Sequence, residues 1–237
     1  MASNRNILIT ALLLLGIIVF FGVSDVDVRV QNLFYNVQTH DWMVDRNDPL
    51  LALVFYDGIK KVLIAFGVVI LLVLVFGYRH PLVRHNRRGL SILLISIIVV
   101  PAIVNGLKAA TNMPCPKNLE IYGGEYPHTC VWEKYPQSFC NSKKIKCWPA
   151  GHASGGFALL ALYFVFRSRK AKMVSIATAL ALGWTMGIYK MMIGDHFLSH
   201  TVISMVMGWL IVLLVARVVY GVGNRSGVQT AAYSKIE

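Results

Sequence analysis

Apolar residues in this chain gather in long uncharged runs instead of alternating with polar ones. Six runs approach the roughly 20 residues that a helix needs to cross the hydrocarbon layer of a bilayer. They are Asn6–Val23, Val62–Tyr78, Leu90–Leu107, Gly151–Phe166, Val174–Ile193 and Thr201–Tyr220. The pattern predicts an all-α integral membrane bundle of six transmembrane helices. The fourth and fifth runs are the least regular, because Gly155, Gly156, Gly183 and Gly187 interrupt them and Lys190 lies inside the fifth. Small residues let helix backbones approach closely, so these positions read as packing faces. The first run has an apolar core of about 17 residues, longer than a signal-peptide core, and no small-x-small cleavage site follows it. It is expected to remain as the first helix.

Composition agrees. Of 237 residues, 56% are hydrophobic and 14% charged, against about a quarter charged in a soluble domain. Disordered, collagenous, small disulfide-knot and water-soluble globular classes are excluded. The net charge is +12, and its distribution sets an orientation. Arg79, Arg84, Arg87 and Arg88 fill the loop between the second and third runs; Arg167, Arg169, Lys170 and Lys172 fill that between the fourth and fifth, and neither loop holds an acid. Basic loops stay in the cytoplasm, which places both termini inside, in keeping with Arg5, Arg217, Arg225 and Lys235. The charge therefore calls for no nucleic-acid partner and suits an anionic lipid surface.

Three segments are left for the outer face: Ser24–Lys61, Lys108–Ala150 and the turn Gly194–His200. The first is expected to be an irregular or interfacial helical cap with its aromatics at headgroup depth. With no internal repeat, residues 1–237 read as one membrane-embedded domain bearing an extracytoplasmic loop at 108–150. Cys115, Cys130, Cys140 and Cys147 all fall in that loop, in the oxidising compartment where disulfides persist. Zinc is the competing reading, but no C-x₂–₄-C pair is present, so disulfides are favoured. A Cys130–Cys140 bridge would staple the loop locally.

Lys108 follows the third run, His152 opens the fourth, Lys190 lies in the last turn of the fifth, and His196 and His200 precede the sixth. Ionisable groups at such depth are costly and usually functional, and all five project to the outer face. Two lysines would attract a phosphate where charge pairing is strong. A neutral histidine is a competent nucleophile toward phosphorus, and a second can protonate the leaving oxygen. His200, four residues beyond His196, shares its helix face and would orient its ring. No carboxylate-rich metal cage accompanies the cluster, and no cofactor is expected.

The blocks Lys108-x₆-Cys115-Pro116, Pro149-Ala150-Gly151-His152 and Lys190-x₅-His196-x₃-His200 resemble the K-x₆-R-P, P-S-G-H and S-R-x₅-H-x₃-D motifs of the type 2 phosphatidic acid phosphatase (PAP2) superfamily. The resemblance covers roughly Lys108–Tyr220 and looks like a divergent bacterial branch. It implies a helical bundle in the inner membrane with a periplasmic, metal-independent phosphohistidine site. His196 would be the nucleophile, His152 the acid and then the base, and Lys108, Lys190 and the Gly151 backbone would hold phosphate. The implied partner is a phosphorylated lipid such as lipid A, undecaprenyl diphosphate or phosphatidylglycerol phosphate. The first two motifs would bring Cys115 and Cys147 together as a bridge, and Lys143, Lys144 and Lys146 would extend the positive field.

Four positions depart from the family. Cys115 and Lys190 replace arginines, Ala150 a serine, and His200 the orienting aspartate. Lysine keeps charge but loses the two-pronged grip on phosphate. A catalytically inactive relative that binds lipid phosphate, or serves as a partner to another membrane protein, is the alternative these departures motivate. The oligomeric state is not encoded in any of these signals.

Overall fold

The computed structural model describes residues 2–139 and 143–233, with side chains through residue 221. Five helices among the described residues are long and apolar enough to cross a membrane, and the chain is a multi-pass membrane protein. α1 (Asn4–Val23), α5 (Pro81–Ala110), α7 (Arg169–Met192) and α8 (Leu198–Tyr233) match four of the predicted runs. The second span starts earlier than hydropathy alone predicts. α3 (Pro49–Ala52) continues through a π-helical stretch, Leu53–Asp57, into α4 (Gly58–Phe76). The irregular segment expected to reach Lys61 therefore ends at Asp48, whose carboxylate accepts from the Leu50 and Leu51 amides, while Pro49 sits in the first turn. An acidic N-cap followed by proline is a helix-start signal.

The fourth apolar run forms a shorter element. α6 (Gly151–Ala158) passes into a 3₁₀ stretch, Leu159–Phe164, so it is not an uninterrupted spanning α-helix. It is the centre of the bundle: Ala153, Ser154, Gly156, Phe157 and Ala161 are buried. An element enclosed by neighbours can be apolar on every side. Small residues make the enclosure possible. A Cβ on Gly156 would lie 2.5 Å from the Gly183 nitrogen, and the Phe157 ring fills the space where a Gly183 side chain would go. The expected packing faces on the fourth and fifth runs are thus real.

Above the bundle, α2 (Val26–Gln31) and two short antiparallel strands, β1 (Tyr35–Asn36) and β2 (Asp41–Trp42), form the expected cap. Tyr35, Trp42 and Tyr122 meet with ring centroids 4.9–5.3 Å apart. Tyr35 and Tyr122 join Leu119, Tyr126 and Phe197 in a second small core. α2 also ties down the turn between α7 and α8. The Gln31 side-chain amide donates to the Met191 carbonyl, and the Ser199 amide donates to Asp27, so both helix ends receive partners for groups their own ladders leave open.

Cys115 and Cys147 are bridged, with an S–S distance of 2.11 Å and Cα atoms 5.2 Å apart. The Cys130 sulfur lies 3.1 Å from the Gly22 carbonyl oxygen. Cys140 lies outside the described residues, and the expected Cys130–Cys140 pair with it.

Candidate active site

The C-terminal ends of α5 and α7 and the N-terminal ends of α6 and α8 meet beneath the cap. Topology alone thus delivers Lys108, Lys190, His152 and His200 to one end of the bundle, with His196 on the adjoining turn. Gly194 allows that turn: its φ is +71°, a region that disfavours side chains, and the Trp42 ring packs where a Cβ would stand. The Asp195 and His196 amides both donate to the Lys190 carbonyl, at 2.8 and 3.2 Å, and the Lys117 amide donates to Gly194.

The three histidines predicted from sequence are together. The rings of His152 and His196 have centroids 6.2 Å apart, and Nδ1 of His196 lies 3.3 Å from Nδ1 of His200. Burial, then the neighbouring His200 and Lys108, holds His196 well below the usual histidine range, so its ring is neutral at physiological pH. With Nδ1 directed at His200, Nε2 is the nitrogen left to meet a substrate. Lys108 is half-buried, and its charge reaches His196. Gly151 opens α6 in a buried position, and Ala150 provides no side-chain cap, leaving the first amides of the helix to other acceptors.

Lys190 is engaged otherwise than expected for a free phosphate ligand. Its ammonium binds Asp195 at 2.9 Å, and the same carboxylate takes Lys117 at 2.6 Å and Arg46 at 2.9 Å. Burial works against ionisation of Asp195, but Lys190 and Lys117 outweigh it and keep the carboxyl below its usual range. Sequence reading missed Arg46 and Lys117. Lys117 follows Cys115-Pro116 directly, where the motif carries an arginine, so a charge displaced by two residues was the available signal.

Tyr56 was also missed. Its hydroxyl lies 2.8 Å from Nε2 of His152, and its ring lies 4.3 Å from the Lys190 ammonium. It projects from the π-helical stretch, an irregularity often found at functional sites. Beside His152 runs an apolar groove of about 370 Å³, lined by Leu63, Ile64, Ile97, Gly155 and Met186, with Lys60 and Asn105 also contributing.

Cys147, His196 and His200 place potential metal-ligand atoms within 4.8 Å of one another. The Cys147 sulfur is consumed by its disulfide, which leaves two imidazoles, fewer than a zinc site requires.

Paired histidines thus lie among cationic side chains at one end of a helical bundle with several membrane-spanning helices. The PAP2 superfamily model matches residues 89–223, and the chain belongs to that superfamily, which supports a phosphatase function. No curated protein and no solved structure matches the chain.

Proposed function

We propose that the protein removes phosphate from a phosphorylated lipid at the extracytoplasmic face of the inner membrane, through a phosphohistidine at His196. The observation that carries this reading is the apposition of His196 to His152, which itself lines an apolar groove. A soluble phosphate ester has no use for such a groove, whereas a lipid would lay chain atoms along Leu63, Ile64 and Ile97 while its phosphate met the histidines.

In this reading Nε2 of His196 attacks phosphorus, the bond to the leaving oxygen breaks, and His152 gives that oxygen a proton. His152 then takes a proton from water as the water attacks the phosphohistidine, releasing phosphate and restoring both rings. The Nδ1–Nδ1 contact serves this step in one tautomer, in which His196 donates to His200 and Nε2 keeps its lone pair. Lys108, Lys190, the Gly151 amide, Lys117 and Arg46 receive the phosphoryl oxygens. Four cations against the single carboxylate of Asp195 leave a surplus that a diphosphate lipid matches better than a monophosphate does. Undecaprenyl diphosphate and a diphosphorylated lipid A are the substrates to test first.

Phosphate release is measured from diphosphate lipids, monophosphate lipids and a water-soluble ester, with native protein and His196→Ala, with and without a chelator. We expect lipid substrates to be preferred, the chelator to have no effect, and the variant to lose activity by about 10³-fold or more. Activity undiminished in the variant removes the nucleophile. Lipid-phosphate binding by native protein without turnover or a trapped phosphohistidine identifies an inactive binder instead.

A further inference from the structure

The end of the bundle opposite the histidines holds a cavity of about 870 Å³. It lies between the first turns of α5, the end of the 3₁₀ stretch, the start of α7 and Tyr220 of α8. Arg84, Arg87 and Arg88 enter it from α5, and Arg167 and Lys172 from the other side; no acidic side chain is among the residues lining it. The histidine end is arranged differently, since Lys190, Lys117 and Arg46 all find a carboxylate partner there in Asp195. Basic residues on a cytoplasmic loop are ordinary when dispersed in water. Five converging on one concavity repel one another unless an anion enters.

The cavity floor is made by backbone. A Cβ on Gly89 would lie 2.5 Å from the Phe164 carbonyl oxygen, so α5 rests directly on the chain that follows α6. Aromatic rings complete the wall. The Lys172 ammonium lies 5.0 Å from the Tyr163 ring centroid, and Phe164 and Tyr220 have centroids 6.4 Å apart. Apolar helical segments begin immediately beyond, at Leu90 in α5 and Val174 in α7, which puts the cavity at the level of lipid headgroups. Aromatic and basic residues together suit that level.

We infer that this cavity binds the phosphate headgroup of an anionic phospholipid in the leaflet facing this end, at a site separate from the histidines. The arginine side chains hold the phosphate oxygens, and the rings of Tyr163 and Tyr220 lie against the glycerol and first chain carbons.

The full-length protein in detergent is titrated with phosphatidylglycerol and with phosphatidylcholine of the same chains, and bound lipid is counted by native mass spectrometry. Native protein should prefer phosphatidylglycerol, and Arg84→Gln/Arg88→Gln should weaken that binding roughly thirtyfold, at about one headgroup charge interaction per arginine. Ala2→Trp fills the cavity from a lining residue while leaving every charge, and so the membrane orientation, in place. It should weaken binding similarly and decides the matter if the arginine variant fails to fold. Lys190→Gln, at the other end, should leave this binding unchanged. Equal affinity for the two lipids, unchanged binding in Ala2→Trp, or loss only in Lys190→Gln overturns the inference. Displacement of phosphatidylglycerol by millimolar inorganic phosphate reassigns the cavity to free anions and overturns the lipid assignment.

Discussion

Asp27 is the sharpest place to test the cap. It is buried, and burial raises its carboxyl from 3.8 to about 6 in spite of hydrogen bonds from Ser199. Between those values the folded chain holds a proton that the unfolded chain has released. The associated stability is therefore complete below about pH 4, declines as pH rises toward 6, and is gone above it. A shift of that size corresponds to about 3 kcal/mol at 1.36 kcal/mol per unit. Asp27→Asn keeps an oxygen to accept from the Ser199 amide but has nothing to titrate. The assay is reversible denaturation of both proteins in one detergent at pH 4, 5, 6, 7 and 8. Native stability should fall relative to the variant by about 2.5 kcal/mol across that series, with more than half the change complete before pH 6. Parallel curves for the two proteins would refute the assignment of a buried, proton-holding carboxyl at the start of α8.

Four further outcomes are expected. Tyr56→Phe removes the hydroxyl from His152 and should lower kcat by about tenfold, one buried hydrogen bond, with little change in KM; an unaltered kcat denies Tyr56 a positioning role. Lys117→Gln should raise KM for phosphorylated lipid severalfold more than kcat falls, checked by steady-state kinetics, because on the proposed reading Lys117 acts in binding. Replacing Cys115 and Cys147 together by serine opens a loop with a sequence separation of 32. Denaturation should then show about 3–4 kcal/mol less stability on the chain-entropy account, along with reduced phosphate release. Nitrogen NMR of selectively labelled histidine should find His196 neutral at pH 6, since its pKa is displaced well below 6.5; a ring that protonates near pH 6.5 contradicts the burial argument.

Sequence disclosed whatever depended on periodicity and topology. Long apolar runs located the helices, and alternating helix direction placed Lys108, His152, Lys190 and His200 at one end without knowledge of their contacts. The Cys115–Cys147 bridge followed from the two motifs converging. Features that depended on one side chain choosing among neighbours were not visible. Nothing local to Asp195 says that it gathers Lys190, Lys117 and Arg46, the last from 149 residues away. Tyr56 stands in the segment expected to be an irregular or interfacial helical cap, although Asp48-Pro49 already marks a helix start. The change from α to 3₁₀ geometry within residues 151–164 is hidden for a related reason: hydropathy measures how apolar a segment is, and a central segment is apolar because protein surrounds it as well as because lipid does.

The departures from the family motifs acquire a physical meaning when their neighbours are considered. Cys115 gives up an arginine's charge, but its disulfide draws the Pro116-Lys117 backbone onto the site, where Lys117 donates its amide to Gly194 and its ammonium to Asp195. Lys190 gives up a guanidinium fork, and Asp195 fixes the ammonium that replaces it at the end of a helix whose C-terminal carbonyls are held by the turn and by Gln31. His200 cannot supply a negative charge to His196, so the orienting task rests on geometry: its ring is fully buried, and Asp27 receives the Ser199 amide one residue before it. At these three positions, on the proposed reading, restraint by neighbouring groups stands in for what the side chain has lost. A phosphoryl site gains most from groups already in position before the substrate arrives, so on the proposed reading a cap that fixes both ends of the Met191–Ser199 turn serves catalysis by holding His196 in place, and the cost of loosening it should appear in kcat before it appears in the fold.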